Sequence, residues 1–296
     1  MTKLPAGVWG VVATPFHDDL EVDLDSLATL VRRYEELGVT GLTVLGVFGE
    51  AARLDGAERT RVLSTVIDAV DLPVVVGATT LATAPVIEEA ELARRVAGSR
   101  LAGVMVQINS PTPAVLAAHL NAVHRATGVG LVVQDYPVAS GVSMPLPAQI
   151  EALADVEGVV AVKAEAAPTA ARVAALSDRF DVPVFGGLGG IGLIDELQAG
   201  AAGAMTGFSY PEGLLATIHA HRTGGFAAAR EALAPYLPLI AFEQQPGIGL
   251  AIRKACLAHR KLIAGPAVRP PAPALPASLI PNLYEHLAAM EGLVTR

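Results

Sequence analysis

The chain has 296 residues, of which 52% are hydrophobic, 17% charged and 4% aromatic, with a formal net charge of −8. A large core built from Ala, Val and Leu is therefore available, and the acidic balance excludes a nucleic-acid-binding face, which needs a basic surface. The single cysteine, Cys256, excludes an internal disulfide and a cysteine-based metal site. The opening stretch "MTKLPAGVWGVVATPF" lacks a basic-then-apolar signal pattern. No apolar run approaches the roughly 18–20 residues of a membrane span. A cytoplasmic protein without nucleic-acid or membrane partners is expected.

Short apolar runs alternate with helix-like stretches along the chain. The runs that read as strands are Val8–Thr14, Gly41–Val47, Pro73–Ala78, Gly103–Ile108, Gly130–Tyr136, Val159–Glu165, Pro183–Gly187 and Gly203–Phe208. Segments with helical spacing lie between them, such as Asp25–Leu37 and Glu58–Ala69. Asp23 or Asp25, Asp55, Thr83, Thr112 and Thr169 stand where helix N-caps are expected. Continuous apolar strands separated by helices predict a parallel sheet. Eight such units in this length predict a closed (β/α)8 TIM barrel, an α/β fold, over residues 1–224. An open doubly wound sheet is the alternative. Residues 225–296 read as a C-terminal helical extension with three further helices after the one that follows Phe208. One joint, "GPAVRPPAPALPAS" (265–278), is too proline-dense for helix or central strand.

In a barrel the chemistry sits at the C-terminal ends of the strands. There the sequence places Thr14-Pro15, "GVFGE" (46–50), "GATT" (77–80), "QINSP" (107–111), "QDYP" (134–137), Lys163 with Glu165, "GGLGGIG" (186–192) and "TGFSYP" (206–211). On the sixth strand Ala161, Lys163 and Glu165 share a face by the two-residue period, with Val160 and Val162 directed towards the helices. An apolar barrel disfavours the ammonium form of a lysine. A neutral amine attacks carbonyls and forms Schiff bases whose iminium withdraws electrons from the adjacent carbon. Glu165 is placed to act as a base, or to pair with Lys163 as a rim salt bridge.

These residues resemble the dihydrodipicolinate synthase / N-acetylneuraminate lyase family, barrel lyases that bind 2-oxo acids as Schiff bases. The resemblance covers nearly the whole chain. It rests on "TPF" (14–16), "GVFGE" as the family's G-x-x-G-E loop, Lys163 ending the sixth strand, Pro137 with Gly141, "GAAGAMTG" (200–207) and the helical tail. The chain also departs from the pattern. Val47 and Phe48 stand where the family loop carries hydroxyls, and Gln134 stands where the fifth strand carries a tyrosine, with Tyr136 two residues on. Ala139 replaces an arginine of the synthases, and Ile108 a tyrosine they lend across a dimer. "GEAARL" (49–54), "QD.P" (134–137), "K.E" (163–165) and "FEQQP" (242–246) look closer to the branch that contains 2-keto-3-deoxy sugar acid dehydratases.

The resemblance implies that Lys163 attacks the C2 carbonyl of a pyruvate-like 2-oxo acid. No cofactor is needed beyond that covalent link. The substrate carboxylate is expected on the backbone of Gly46, Val47, Phe48 and Gly49 near Met205, with Thr14 and Gly187 completing the binding set. Glu165, or Tyr136 through a water, is expected to remove the C3 proton or assist departure of a hydroxyl, and Gln134 to orient a substrate hydroxyl. The outcome is aldol cleavage or condensation, or dehydration of a 3-deoxy-2-oxo acid. The alternatives are a 4-hydroxy-tetrahydrodipicolinate synthase using aspartate semialdehyde, or an inactive barrel that binds 2-oxo acids. Family members are commonly dimers or tetramers, so a homo-oligomer is expected.

Other signals read as structural. The histidines fall mostly on outer helices, and His219 and His221 lack a metal-ligand spacing, so no metal site is expected. "GGLGGIG" is expected to be a tight turn rather than a phosphate cradle. Glu50 is expected to hold its loop, and Arg253 and Lys254 to form a surface or subunit face. Val47, Phe48 and Ile108 predict an apolar pocket, which also admits an aromatic or alkyl 2-oxo acid.

Overall fold

Apolar runs such as Val74–Val76 and Leu131–Val133 are buried on both faces, as strands of a closed parallel sheet require. The computed structural model describes residues 2–294. Eight parallel strands close in sequential order: β1 (Gly7–Val11), β2 (Gly41–Val44), β3 (Val74–Gly77), β4 (Leu101–Gln107), β5 (Leu131–Asp135), β6 (Val159–Ala164), β7 (Val184–Gly186) and β8 (Gly203–Thr206). Closure runs through β1 and β8, where Gly7 pairs with Gly203 and Trp9 with Met205. The fold is the TIM barrel expected from the repeating pattern.

Several strands stop before the apolar run does. β1 ends at Val11, and Pro15, which has no N–H for a ladder, follows in the loop. β2 ends at Val44 because Leu45 takes a left-handed φ of 58°. On β6 the register slips between Leu131↔Val159 and Val132↔Ala161. Val160 is the extra residue of that irregularity. It packs in the barrel interior with Ala161 rather than towards the helices, which corrects the simple two-residue alternation. Val162 keeps the expected outward direction.

The barrel is surrounded by α1 (Leu24–Glu36), α2 (Gly56–Ala69), α3 (Thr83–Ala97), α4 (Pro113–Thr127), the single turn α5 (Pro137–Ser140), α6 (Leu146–Ala154), α7 (Thr169–Arg179), α8 (Leu193–Gln198) and α9 (Pro211–Leu233). Asp23 caps α1 by accepting the Ser26 N–H at 2.9 Å, and Asp55 with Glu58 forms a capping box on α2. The three threonines expected as caps do not cap. Thr83 and Thr169 lie inside their helices, bonded instead to His119 and Glu196, and Thr112 sits at the cap position of α4 without a side-chain bond.

The extension comprises α10 (Leu237–Glu243), α11 (Gly249–His259) and α12 (Ile280–Val294), with residues 265–276 in neither helix nor strand. The boundary expected at 224/225 falls within α9, at a kink where Gly225 has φ 71°. Among the described residues no helix is long and apolar enough to cross a membrane.

Two apolar layers hold the fold together. One lies between strands and helices; the other fills the barrel with Leu4, Trp9, Val75, Phe185 and Met205 among others. The interior layer is closed at the N-terminal end by the incoming chain. The Leu4 N–H donates to the Val160 carbonyl at 3.3 Å and the Trp9 indole N–H to the Pro5 carbonyl at 3.1 Å. The C-terminal end is where the barrel opens.

Candidate active site

A cavity of about 650 Å³ occupies the C-terminal mouth, within the size range of small-molecule sites. Val11 and Met105 of the interior layer lie at its floor. β6 delivers Lys163 into it, Glu165 follows one residue past the strand's end, and β5 delivers Gln134, which pairs in register with Lys163. Lys163 Nζ lies 3.1 Å from Glu165 Oε2, with the two side chains 8% and 5% exposed. Gln134 Nε2 donates to the same oxygen at 2.7 Å. The other oxygen, Oε1, accepts the Leu188 N–H at 3.2 Å. Glu165 is thus fixed from three sides. Gly187 makes this possible, since a Cβ there would stand 2.2 Å from Glu165 Oε1.

Tyr136 follows β5 and lines the cavity beside these groups. Burial and the Glu165 carboxylate both push its hydroxyl above the usual phenol range, so it stays protonated.

The loop after β2 brings Gly46, Val47 and Phe48 to the cavity wall. Its backbone is unusual, with Leu45 and Glu50 both at positive φ. Glu50 is held there by the Lys254 ammonium, by Arg53 at 3.0 Å and by the Arg269 N–H at 3.0 Å. Thr14 Oγ1 donates to the Gly49 carbonyl at 2.6 Å and fixes the other end of the turn. The N–H groups of Val47, Phe48 and Gly49 make no hydrogen bond to another described residue. They remain as donors for an anion. The Phe48 ring covers Gly207, where a Cβ would meet it at 2.5 Å.

Thr14, Gly49, Gly187 and Met205 lie behind the wall rather than in it: Thr14 and Gly49 brace the loop, Gly187 backs Glu165, and Met205 is fully buried in the interior layer. Ile108 is not a pocket residue; it is fully buried in the layer between strands and helices. The amides of the "GGLGGIG" turn are used internally, Leu188 on Glu165 and Gly189 on Thr206 Oγ1 at 2.7 Å. Lys254 is fully buried and Arg253 lines the cavity, so α11 presents them inwards and not to a surface. Among the described residues no group of three His, Cys, Asp or Glu side chains is placed to hold a metal ion.

The sequence alone did not single out Thr43, Thr206, Arg253 or Gln244 as pocket residues. Thr43 faces inwards from β2 by the two-residue period, a signal that was available, and its hydroxyl is buried without a partner. Arg253 and Gln244 come from the extension; Gln244 lies in "FEQQP", which marks a family branch without placing the residue at the barrel mouth, and Arg253 carries no local motif.

A profile of the Dihydrodipicolinate synthetase family matches residues 4–289. The 4-hydroxy-tetrahydrodipicolinate synthase of Kineococcus radiotolerans is 31% identical over 96% of this chain and 90% of its own. The L-2-keto-3-deoxyarabonate dehydratase of Azospirillum brasilense is 29% identical over 98% of this chain and 96% of its own. The crystal structure of dihydrodipicolinate synthase from Rhodopseudomonas palustris superposes with a TM-score of 0.90 at 30% identity, covering 98% of this chain and 99% of that one. With the family profile spanning almost every described residue and a synthase and a dehydratase among the relatives, the chain belongs to the dihydrodipicolinate synthetase family of lyases.

Proposed function

We propose that the protein is a Schiff-base lyase acting on a 3-deoxy-2-oxo acid, and that dehydration is its reaction. The observation that carries this reading is the Lys163–Glu165–Gln134 group in the floor of the mouth cavity. The ammonium of Lys163 gives a proton to Glu165, 3.1 Å away, and the freed amine attacks the C2 carbonyl of the substrate. The substrate carboxylate rests on the loop amides of Val47 and Phe48, braced from behind by Thr14 and Gly49. Glu165 returns that proton to the carbinolamine hydroxyl, which leaves as water to give the iminium and restores the Glu165 carboxylate.

C3 then stands two bonds from Nζ, within reach of the Glu165 carboxylate, which removes its proton. The resulting enamine expels the hydroxyl on the next carbon. Tyr136, held as a protonated phenol, donates the proton that the leaving hydroxyl takes. Gln134 keeps Glu165 in position throughout and orients a substrate hydroxyl. Dehydration is supported by the Glu165 carboxylate beside Lys163, placed to take the C3 proton, and by the L-2-keto-3-deoxyarabonate dehydratase among the relatives.

The test is incubation with hydroxylated 3-deoxy-2-oxo acids, followed by proton NMR. In D2O, dehydration of a substrate with hydroxyls on C4 and C5 gives, after tautomerisation of the enol, one dioxo product with solvent deuterium at C3. Release of pyruvate with an aldehyde identifies an aldolase instead, and the absence of both products from a folded protein sinks the lyase reading.

A further inference from the structure

Arg253 has no part in the chemistry above, yet it lines the same cavity as Lys163. It projects from α11 with its side chain 13% exposed, and its guanidinium carbon lies 5.2 Å from the centroid of the Phe48 ring. A guanidinium carries five N–H donors in a fixed fork. Among the described residues none of them is engaged in a hydrogen bond, and Nε is buried without one. Burying such donors unpaired is costly, so the arrangement is complete only when an acceptor arrives.

The one carboxylate nearby is a poor acceptor. Glu243 Oε2 lies 3.4 Å from Arg253 Nε, and Glu243 already accepts the Ser209 N–H at 3.3 Å and the Ser209 hydroxyl. Burial pushes the Glu243 carboxyl up to about 7, which removes much of its negative charge near neutrality. Gln244, the next residue, also lines the cavity, and its Nε2 is buried without a partner. An arginine and an amide donor therefore stand together in a wall of a cavity larger than a pyruvyl head group fills. The other arginine in the lining, Arg53, is engaged with Glu50 at 3.0 Å.

We propose that Arg253 and Gln244 bind a second carboxylate at the far end of the substrate, so that the enzyme acts on 2-oxo dicarboxylic acids. This assignment rests on the Schiff-base reading of Lys163. Phe48 is the aromatic platform beside the guanidinium, whose carbon lies 5.2 Å from the ring centroid. The charge balance selects a carboxylate over a phosphoryl group. One guanidinium without hydrogen-bond partners and one neutral amide match a monoanion, whereas a dianion brings a second charge towards Glu165 and Glu243 with no further cation to meet it.

The test uses borohydride trapping on the full chain, read by intact mass, with three acids. They are pyruvate, 2-oxoadipate, and 2-oxohexanoate, which has the same length as 2-oxoadipate but ends in a methyl group. The concentration giving half-maximal trapping is expected to be ~10- to 100-fold lower for 2-oxoadipate than for 2-oxohexanoate, the scale of a charge-assisted hydrogen-bonded pair. Arg253→Met is expected to collapse that ratio at least ~10-fold on the same scale, and Arg253→Lys to restore part of it. A ratio near unity in the unaltered protein, or a ratio untouched by Arg253→Met, overturns the proposal while leaving pyruvate trapping intact. Stronger trapping of a phosphonate-ended analogue overturns the carboxylate assignment. No trapping of pyruvate at all removes the Schiff-base reading and this inference with it.

Discussion

Lys163 on β6 and Glu165, one residue past its end, close a 3.1 Å ion pair in the cavity, with Gln134 on the same carboxylate oxygen at 2.7 Å. A rim salt bridge and a catalytic pair look alike in sequence. Here the pair faces a cavity, and the proposed mechanism makes Glu165 the proton acceptor for the amine. Glu165→Gln keeps the shape and removes that acceptor. Turnover is expected to fall about 10²–10⁴-fold, the usual contribution of a placed acid–base group. Turnover at the original rate contradicts the role assigned to Glu165.

Thr43 is expected to contribute to the substrate and not to the fold. Its hydroxyl is buried, lines the cavity and has no partner. Thr43→Val removes an unsatisfied polar group, so thermal stability is expected to hold or rise slightly. The value of kcat/KM is expected to drop about 10-fold if the hydroxyl meets a substrate oxygen. An unchanged kcat/KM shows that it meets nothing.

Lys254 ties the extension to the substrate loop. It is fully buried, pairs with Glu50, and donates to the Ala267 carbonyl at 2.7 Å. Burial, opposed by Glu50, brings its ammonium down to about 8. Lys254→Met leaves Glu50 short of one partner in a left-handed backbone position. The expected cost is about 3 kcal/mol, the scale for breaking a buried pair, read by denaturant unfolding. A loss below about 1 kcal/mol on that scale shows that Arg53 and Arg269 alone hold the loop.

Glu243 predicts a pH dependence of stability. Its carboxyl ionises near the usual carboxylate value in the unfolded chain and only at about 7 in the fold. Between those values the native state holds a proton that the unfolded state has released. Rising pH therefore draws the protein towards unfolding across roughly pH 4.5–7, with the cost complete above that window. Glu243→Gln is expected to flatten the fall in Tm over this range. Glu196 is also raised to about 7 and remains in both proteins, so the difference between the two profiles reports Glu243. Parallel profiles contradict the assignment.

Glu58 acts at the acid end with the opposite sign. The Arg269 guanidinium, bonded to it at 2.7 Å, holds its carboxyl down at about 2. The stabilisation is present above the usual carboxylate value and is lost as pH falls towards 2. Arg269→Ala is expected to lower Tm at pH 6 more than at pH 2.5. Equal losses at both values assign Arg269 to packing alone.

The barrel was legible because each strand is a continuous apolar run between helix-period segments, and Lys163 stood out as a cation on such a run. Strand ends were not legible, since the Leu45 and Glu50 backbone turns depend on contacts with Thr14 and Lys254, remote in sequence. Val160 was misdirected because a register slip shifts the face count by one residue. The inward placement of Arg253 and Lys254 is hidden from the sequence for a similar reason. Helical periodicity tells which residues share a face, but not that the extension folds back over the barrel mouth. Polar groups on that face then become buried wall instead of solvated surface.

The measurement that addresses the central claim is borohydride reduction of the protein with pyruvate, followed by peptide mapping of the adduct. The account predicts one reduced pyruvyl group on Lys163, absent from Lys163→Ala. A folded protein that yields no adduct with pyruvate or longer 2-oxo acids, or one modified at another lysine, contradicts it and leaves the Lys163–Glu165 pair as a structural ion pair.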